Sequence, residues 1–151
     1  MKKKVAPPPA ETFTPRDVSL VVTRASDAAF PLRWGILCTG EICRQFVCAS
    51  REVAGATMAG ASSRHAENAH AFANAHGVGK AYDTYEDLLD APDIDVVYVG
   101  TPDSVHKEHC LMALNAGKHV LCEKILATCV EDAQQMYACL LYTSDAADDL
   151  G

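Results

Sequence analysis

RWGILCTGEICRQFVCASR, Arg33 to Arg51, decides the fold of this chain. A short apolar run meets a Thr-Gly turn at Thr39 and Gly40 and passes straight into a helical pattern. That is how the first strand, turn and helix of a dinucleotide-binding unit read. The first backbone N–H groups of a helix have no partner within it, and the macrodipole puts positive potential there. A pyrophosphate can therefore rest on them without any cationic side chain. The fingerprint G-x-G-x-x-G/A falls on positions 38, 40 and 43, where this chain has Cys38, Gly40 and Cys43. With one glycine of three the motif is damaged, and a plain strand-turn-helix with a glycine in its turn is the competing reading.

The residues downstream separate the two. Thr57 to Ala61 is a second short apolar segment, closed by Ser62, Ser63 and Arg64, and His65 to His76 has helical spacing in Ala66, Ala69, Phe72 and Ala73. Lys80 to Tyr82 reads as a short strand, and Thr84 is placed to cap a short helix over Tyr85 to Leu89. DVVYVG, Asp95 to Gly100, is a continuous apolar run of the kind found in a strand covered on both faces. Thr101-Pro102 ends it, Asp103 or Ser104 caps a helix over Val105 to Ala116, and Gly117 closes that helix. His119 to Cys122 makes a fifth strand, and Thr128 opens a last helix from Cys129 onward. This alternation predicts an α/β fold with a doubly wound parallel sheet, whose ligands bind beyond the carboxyl ends of the strands. Three candidate sites fall at those ends: the turn Cys38 to Cys43, the turn Thr101 to His106, and Glu123-Lys124.

Composition bounds the partners. The 151 residues, 49% of them hydrophobic, suffice for one core and a single, incomplete domain. Net charge is -7, and the balance beyond residue 30 is more acidic still, because Lys2, Lys3, Lys4, Arg16 and Arg24 all precede it. Such a field repels a nucleic-acid backbone or an anionic membrane. The seven cysteines, at positions 38, 43, 48, 110, 122, 129 and 139, form no C-x-x-C pair and have no histidine at ligand spacing. They read as reduced thiols of a cytoplasmic protein, not as a disulfide framework or a metal site.

Residues 1 to 31 stand apart, with three early lysines, Pro7, Pro8 and Pro9, and one brief apolar run from Val18 to Val22; a disordered extension is expected. A secretory signal needs an apolar stretch of about 7 to 15 residues where the prolines stand. No segment approaches the roughly 20 apolar residues that span a bilayer.

RWGILCTGEICRQF, Arg33 to Phe46, and KAYDTYEDLLDAPDIDVVYVGTPDSVHKEHCLMALNAGKHVLCEK, Lys80 to Lys124, together resemble the N-terminal domain of the Gfo/Idh/MocA oxidoreductases. Within that family they look like the dihydrodiol dehydrogenase and NADP-linked D-xylose dehydrogenase branch. The resemblance covers about Leu32 to Ala138. It implies a Rossmann-like fold, with the backbone around Cys38, Thr39, Gly40, Glu41 and Ile42 cradling the cofactor's pyrophosphate. It implies that Ser63 and Arg64 meet the 2′-phosphate of NADP. A neutral serine pair beside a guanidinium suits a dianionic phosphate, whereas an NAD site calls for a carboxylate, so NADP is favoured over NAD. Thr101, Pro102 and His106 match the family's turn near the ribose and nicotinamide, although a helix-surface histidine is an equal reading of His106. Glu123 and Lys124 match its Glu-Lys-Pro element, whose lysine acts at the substrate oxygen as hydride leaves. A surface ion pair is the plain alternative for these two.

Four departures oppose tight cofactor binding. Cys38 and Cys43 add side chains where relatives keep the turn and the helix packing free of them, Glu41 brings a negative charge to the phosphate seat, and Ile125 replaces the proline after Lys124. CLLYTSDAADDL, Cys139 to Leu150, departs from the family and reads as translated adapter sequence, so the family domain is expected to run over 32–138 and a non-family tail over 139–151. The resemblance implies a second domain that supplies dimer contacts, substrate walls and a catalytic histidine, and that domain is expected to be missing. A sheet that stops at its fifth strand keeps an unpaired edge, which predicts poor solubility or dependence on a partner.

The sequence thus reads as the NADP-binding half of an oxidoreductase acting on a sugar, polyol or dihydrodiol CH–OH group, without turnover by itself, the whole protein being a homo-oligomer. A non-catalytic nucleotide-binding or interaction module, and a non-functional piece of a longer enzyme, are the alternatives.

Overall fold

The computed structural model describes residues 31–148, and side chains as far as residue 142. The extension expected before Pro31, and residues 149–151 of the expected tail, lie outside the described residues. Five parallel strands run in the order β3-β2-β1-β4-β5. They are β1 (Leu32–Leu37), β2 (Ala56–Ser62), β3 (Lys80–Tyr82), β4 (Val96–Val99) and β5 (His119–Cys122). The helices between and after them are α1 (Glu41–Ser50), α2 (Ala66–His76), α3 (Tyr85–Asp90), α4 (His106–Asn115) and α5 (Val130–Asp148).

The period of two along the central strands divides the core. Ile36, Ala61 and Tyr98 point to the face covered by Cys43 and Val47 of α1 and by Phe72 and Ala73 of α2. Leu37, Val97 and Val99 point the other way, against Leu88 and Leu89 of α3, Cys110 and Ala113 of α4, and Met136 of α5. Layers on both faces make the sheet doubly wound, and β4, buried along its whole length, explains the unbroken apolar run from which it was read. The strand order reverses between β1 and β4, so the crevice of such a sheet opens beside Gly40 and Gly100.

Local signals behave as their chemistry requires. Thr84 accepts a hydrogen bond from the Asp87 N–H and starts α3. Gly77 and Gly117 follow α2 and α4 with φ of 62° and 74°, the left-handed conformation that glycine adopts without a Cβ penalty. Two expectations shift. The Asp103 carboxylate accepts from the adjacent Ser104 N–H, so residues 103–105 form a single 3-10 turn and α4 starts at His106 rather than Val105. The last helix starts at Val130 and continues through Cys139, which is buried, into the segment expected to be a non-family tail. β5 closes one side of the sheet with Leu121 44% exposed.

Candidate functional site

The register of the sheet builds the site. Tyr82, Ser62, Leu37, Val99 and Cys122, each the last residue of its strand, lie in one row across all five strands. Backbone bonds extend the alignment one step further. The Cys38 N–H donates to Ser62 O at 2.9 Å, the Gly100 N–H to Leu37 O at 3.2 Å and the Glu123 N–H to Val99 O at 3.0 Å. The turns carrying Gly40, Ser63, Thr101 and Lys124 therefore leave the same edge of the sheet.

In the turn after β1, Gly40 is the N-cap of α1 and offers no side-chain cap. The helix's first bond runs from the Arg44 N–H to Gly40 O, which places the N–H groups of Glu41, Ile42 and Cys43 ahead of it at the helix mouth. A Cβ built on Gly40 would meet nothing nearer than Cys38 Sγ at 3.8 Å, so the space over the turn is open. Donors and space both fit a phosphate. Cys38, half-buried with φ of 90°, has its thiol drawn down to about 6. Its hydrogen bond with Cys43 is the main cause, followed by the N–H groups of Gly40 and Thr39 and the charge of Arg64. Cys43 moves the opposite way because it donates that bond and is fully buried.

Two of the expected obstacles take a different form. Cys43 was expected to crowd the helix against the strand, but α1 meets β4 at Gly100, where an added Cβ would lie 2.4 Å from Cys43 Sγ. The missing side chain at Gly100 makes room for the thiol at Cys43. Glu41 was expected to repel a phosphate, yet its carboxylate pairs with the Arg44 guanidinium and accepts from Gln45 Nε2 at 3.0 Å. Arg44 and then Gln45 hold it at about 2, so its charge is compensated within the helix.

Beside this turn, the Thr39 hydroxyl donates to Ser63 Oγ at 3.3 Å and joins the ends of β1 and β2. Ser63 is buried, and Arg64 is exposed in the bend leading to α2. Ser62 Oγ is fully buried with no hydrogen-bond partner among the described residues.

The loops after β4 and β5 are tied to each other. His106 is 1% exposed, and its Nε2 and Nδ1 each lie 2.7 Å from a carbonyl oxygen, that of Thr101 and that of Ile125. A neutral ring donates to one of them and an imidazolium to both. With both nitrogens engaged inside the protein, His106 serves as a strut between the loops. Buried in this way, it is not the helix-surface histidine that was one reading of the sequence. The Tyr98 hydroxyl donates to Glu123 Oε1 at 2.6 Å, and the Lys124 N–H to Glu123 Oε2 at 3.1 Å. Burial and then Glu123 push the Tyr98 hydroxyl up, and the bond from Tyr98 lowers Glu123. Among the described residues Lys124 forms no ion pair, so the plain reading of Glu123-Lys124 as a surface pair does not hold. The Lys124–Ile125 peptide bond is cis. Pro102 and Lys124 are exposed at the edge and Thr101 is buried.

Three residues of this network were not singled out from sequence. His109 Nδ1 lies 2.9 Å from Thr101 Oγ1, and burial lowers its pKa. Tyr85 meets the His109 ring edge-on at 4.9 Å, and Tyr98 stacks on Phe46 at 3.9 Å. The one available signal was the spacing of His106 and His109, a single helical turn apart on one face. Among the described residues no group of side chains is arranged to hold a metal ion, and no helix is long and apolar enough to cross a membrane.

Comparison with known proteins agrees with this geometry. Residues 32–145 match the Gfo/Idh/MocA family model, described as an oxidoreductase family with an NAD-binding Rossmann fold. The chain is 41% identical over 104 residues to 1,5-anhydro-D-fructose reductase of Ensifer adhaerens, covering 69% of this chain and 31% of that protein. It is 41% identical over 107 residues to trans-1,2-dihydrobenzene-1,2-diol dehydrogenase of Danio rerio, covering 70% and 32%. Among solved structures, a 3-ketoreductase from Actinomadura kijaniata with NADP superposes with a TM-score of 0.71 at 32% identity, over 75% of this chain and 36% of that one. A levoglucosan dehydrogenase with NADH and levoglucosan gives 0.66 at 27% identity, over 73% and 32%. The chain spans about a third of the length of the relatives it matches.

Proposed function

The chain belongs to the Gfo/Idh/MocA oxidoreductase family, and on that footing we propose that it is the NADP-binding domain of an enzyme acting on a sugar or dihydrodiol CH–OH group. The carrying observation is the row of strand ends that opens the Gly40, Ser63, Thr101 and Lys124 turns at one edge. When bound there, the nicotinamide supplies the hydride acceptor or donor. The backbone N–H groups of Glu41, Ile42 and Cys43 bind the pyrophosphate, and Gly40 leaves the approach open. Arg64, next to neutral Ser63, pairs with the 2′-phosphate and gives NADP its advantage over NAD. Thr101 and Pro102 line the path toward the nicotinamide, and His106 and Glu123 hold the two loops that flank it. Lys124, free of an internal ion pair, hydrogen-bonds the substrate oxygen and moves its proton. Substrate walls and dimer contacts belong to the part of the relatives that this chain does not span. The chain alone is therefore expected to bind without turning over.

Titration of the purified chain with NADPH, followed by nicotinamide fluorescence, tests the reading. Saturation in the micromolar range, weaker for NADH and weakened for both Arg64→Ala and Gly40→Val, is the expected result; no saturation by either nucleotide overturns it. A second reading, a nucleotide-binding module without catalysis, is favoured by one observation, the Cys38 side chain held at φ of 90° in the turn that would seat the phosphate. Joining the chain to the C-terminal domain of the dihydrodiol dehydrogenase relative decides between them. Turnover abolished by Lys124→Met supports the enzyme, and saturable binding with no turnover in the joined protein supports the module.

A further inference from the structure

We propose that the outer side of β5 docks a second copy of this chain, the two β5 strands pairing antiparallel across a two-fold axis at Leu121 to make one continuous sheet. The proposal stands without the nucleotide-binding reading above, since that site lies at the strand ends and not along this side of the sheet.

The two sides of the sheet differ. β3, at one side, has three residues, and the ammonium of the exposed Lys80 stands 4.3 Å over the Tyr82 ring. A short strand with a cation on it is one way in which an edge is kept from pairing. β5, at the other side, has four residues and no strand beyond it among the described residues. Apart from Ile42 and Val53, every exposed large hydrophobic residue among the described ones falls between Leu121 and Tyr142, on β5 or in the loop and helix that follow it.

The backbone sets what can pair there. The N–H groups of His119 and Glu123 donate to Asp95 O and Val99 O, so these residues turn their backbone toward β4. By the alternation of a strand, Val120 and Cys122 present their N–H and C=O groups outward. An antiparallel neighbour must present the same pattern, and a second β5 does.

The side chains choose among the registers. Pairing Val120 with Val120 sets His119 against Leu121, and pairing Cys122 with Cys122 sets Leu121 against Glu123. Pairing Val120 with Cys122 of the second copy engages all the outward groups of both residues. It sets Leu121, 44% exposed in the single chain, against Leu121 on the axis, and the exposed His119 against Glu123 on either side. These residues share one face of the strand. The Glu123 carboxylate accepts from the Tyr98 hydroxyl and the Lys124 N–H, and it keeps acceptor capacity for an imidazole N–H. On the other face Lys118 stands opposite Lys124, but Lys118 Nζ is turned inward and donates to Ala91 O and Ile94 O at 2.6 and 2.8 Å. The edge is therefore complementary to itself in backbone, apolar contact and charge.

Sedimentation equilibrium of the full chain tests the interface, with a reductant present to keep the exposed Cys129 from cross-linking. A monomer–dimer equilibrium is expected. Leu121→Lys puts two ammonium groups on the axis and is expected to weaken the dimer roughly a hundredfold. Val53→Lys, at a more exposed position before β2, is expected to leave it unchanged. His119→Lys should tighten the dimer and His119→Glu loosen it, about tenfold apart, because each dimer holds two such cross-strand pairs. Circular dichroism checks that every variant folds. A chain that stays monomeric overturns the proposal; if removing residues 1–30 then yields the dimer, that extension is the occupant instead. A dimer that survives Leu121→Lys also overturns it and places the contact on another surface. Equal losses in the two His119 variants overturn the register centred on Leu121.

Discussion

The turn after β1 and the loops after β4 and β5 share one edge of the sheet and are built in opposite ways. The loops are held by side chains: His106 between two carbonyls, Tyr98 on Glu123, and His109 on Thr101. The turn has only weak side-chain links, Thr39 to Ser63 and the long contacts of Cys43 Sγ with Leu37 O and Gly100 O, and a residue, Cys38, whose φ of 90° an L side chain rarely adopts. Yet both regions end in the same row, because the ladder of β1, β2, β4 and β5 fixes where each chain leaves the sheet. The family's glycines are therefore not what positions the turn. Their absence leaves strain in it at Cys38, and the strand register keeps its place.

The largest expected effect breaks the comparison at the one point where the two regions touch. At Gly100 an added Cβ would stand 2.4 Å from Cys43 Sγ and 2.9 Å from Tyr98 Cε1, so Gly100→Ala must push α1 away from β4. Overpacking of this kind costs about 2–3 kcal/mol, and denaturant unfolding should show a loss of that size. If Cys43 is the obstacle, adding Cys43→Ala should recover part of it, with the remainder belonging to Tyr98. Losses that simply add in the double variant would mean that α1 does not rest on Gly100.

This contact also marks the limit of what the sequence made legible. Each helix and strand could be read from short-range signals, as with DVVYVG for β4, Thr84 for the start of α3, and Gly117 for the end of α4. Those signals act within a few residues, where backbone conformation and hydrophobic period are decided. Cys43 and Gly100 are 57 positions apart and carry no local mark of each other. Within the segment Cys38 to Cys43 alone, Cys43 looks like damage to the motif. The pairing of Tyr98 with Glu123 across neighbouring strands was hidden for the same reason. For Cys38 the residue type was legible and its left-handed backbone was not, since the sheet on one side and the helix on the other impose it.

A smaller effect sharpens the contrast from within the turn. Replacing a buried or structured residue by glycine ordinarily destabilises a protein, because glycine loses more freedom on folding. At Cys38 the sign should reverse. Relief of the positive φ is worth about 1–2 kcal/mol, the glycine entropy term takes back about 0.5–1, and Cys38→Gly should raise stability by roughly 0.5–1 kcal/mol in a denaturant melt. The same substitution at Thr101, in the wired loop, should lower it, since the His109 and Thr101 side-chain bond is lost there. Two losses of equal size would show that the turn is not strained.

The smallest effect comes from the opposite edge of the sheet and serves as the reference for both regions. There Arg33 Nε and Nη2 donate to the Asp95 carboxylate at 2.9 and 2.6 Å, and the Arg33 backbone N–H adds a third bond at 2.9 Å. The Arg33 side chain is the main reason that Asp95 falls from 3.8 to about 2. A carboxyl lowered on folding stabilises the fold at any pH above its unfolded value and loses that contribution as pH falls through its folded value. Asp95 should thus contribute fully above pH 4 and progressively less down to about pH 2. Both side chains are partly open to solvent, which discounts the pair to roughly 0.5–1 kcal/mol. Asp95→Asn should therefore lower stability by that amount at pH 7, the gap to the parent should narrow between pH 4 and pH 2, and NADPH affinity should stay the same. A gap that persists unchanged at pH 2 would assign the effect to packing instead of charge. A change in NADPH affinity would mean that the two edges of the sheet are coupled, and that the register does not isolate the site from the strand starts as the row of strand ends implies.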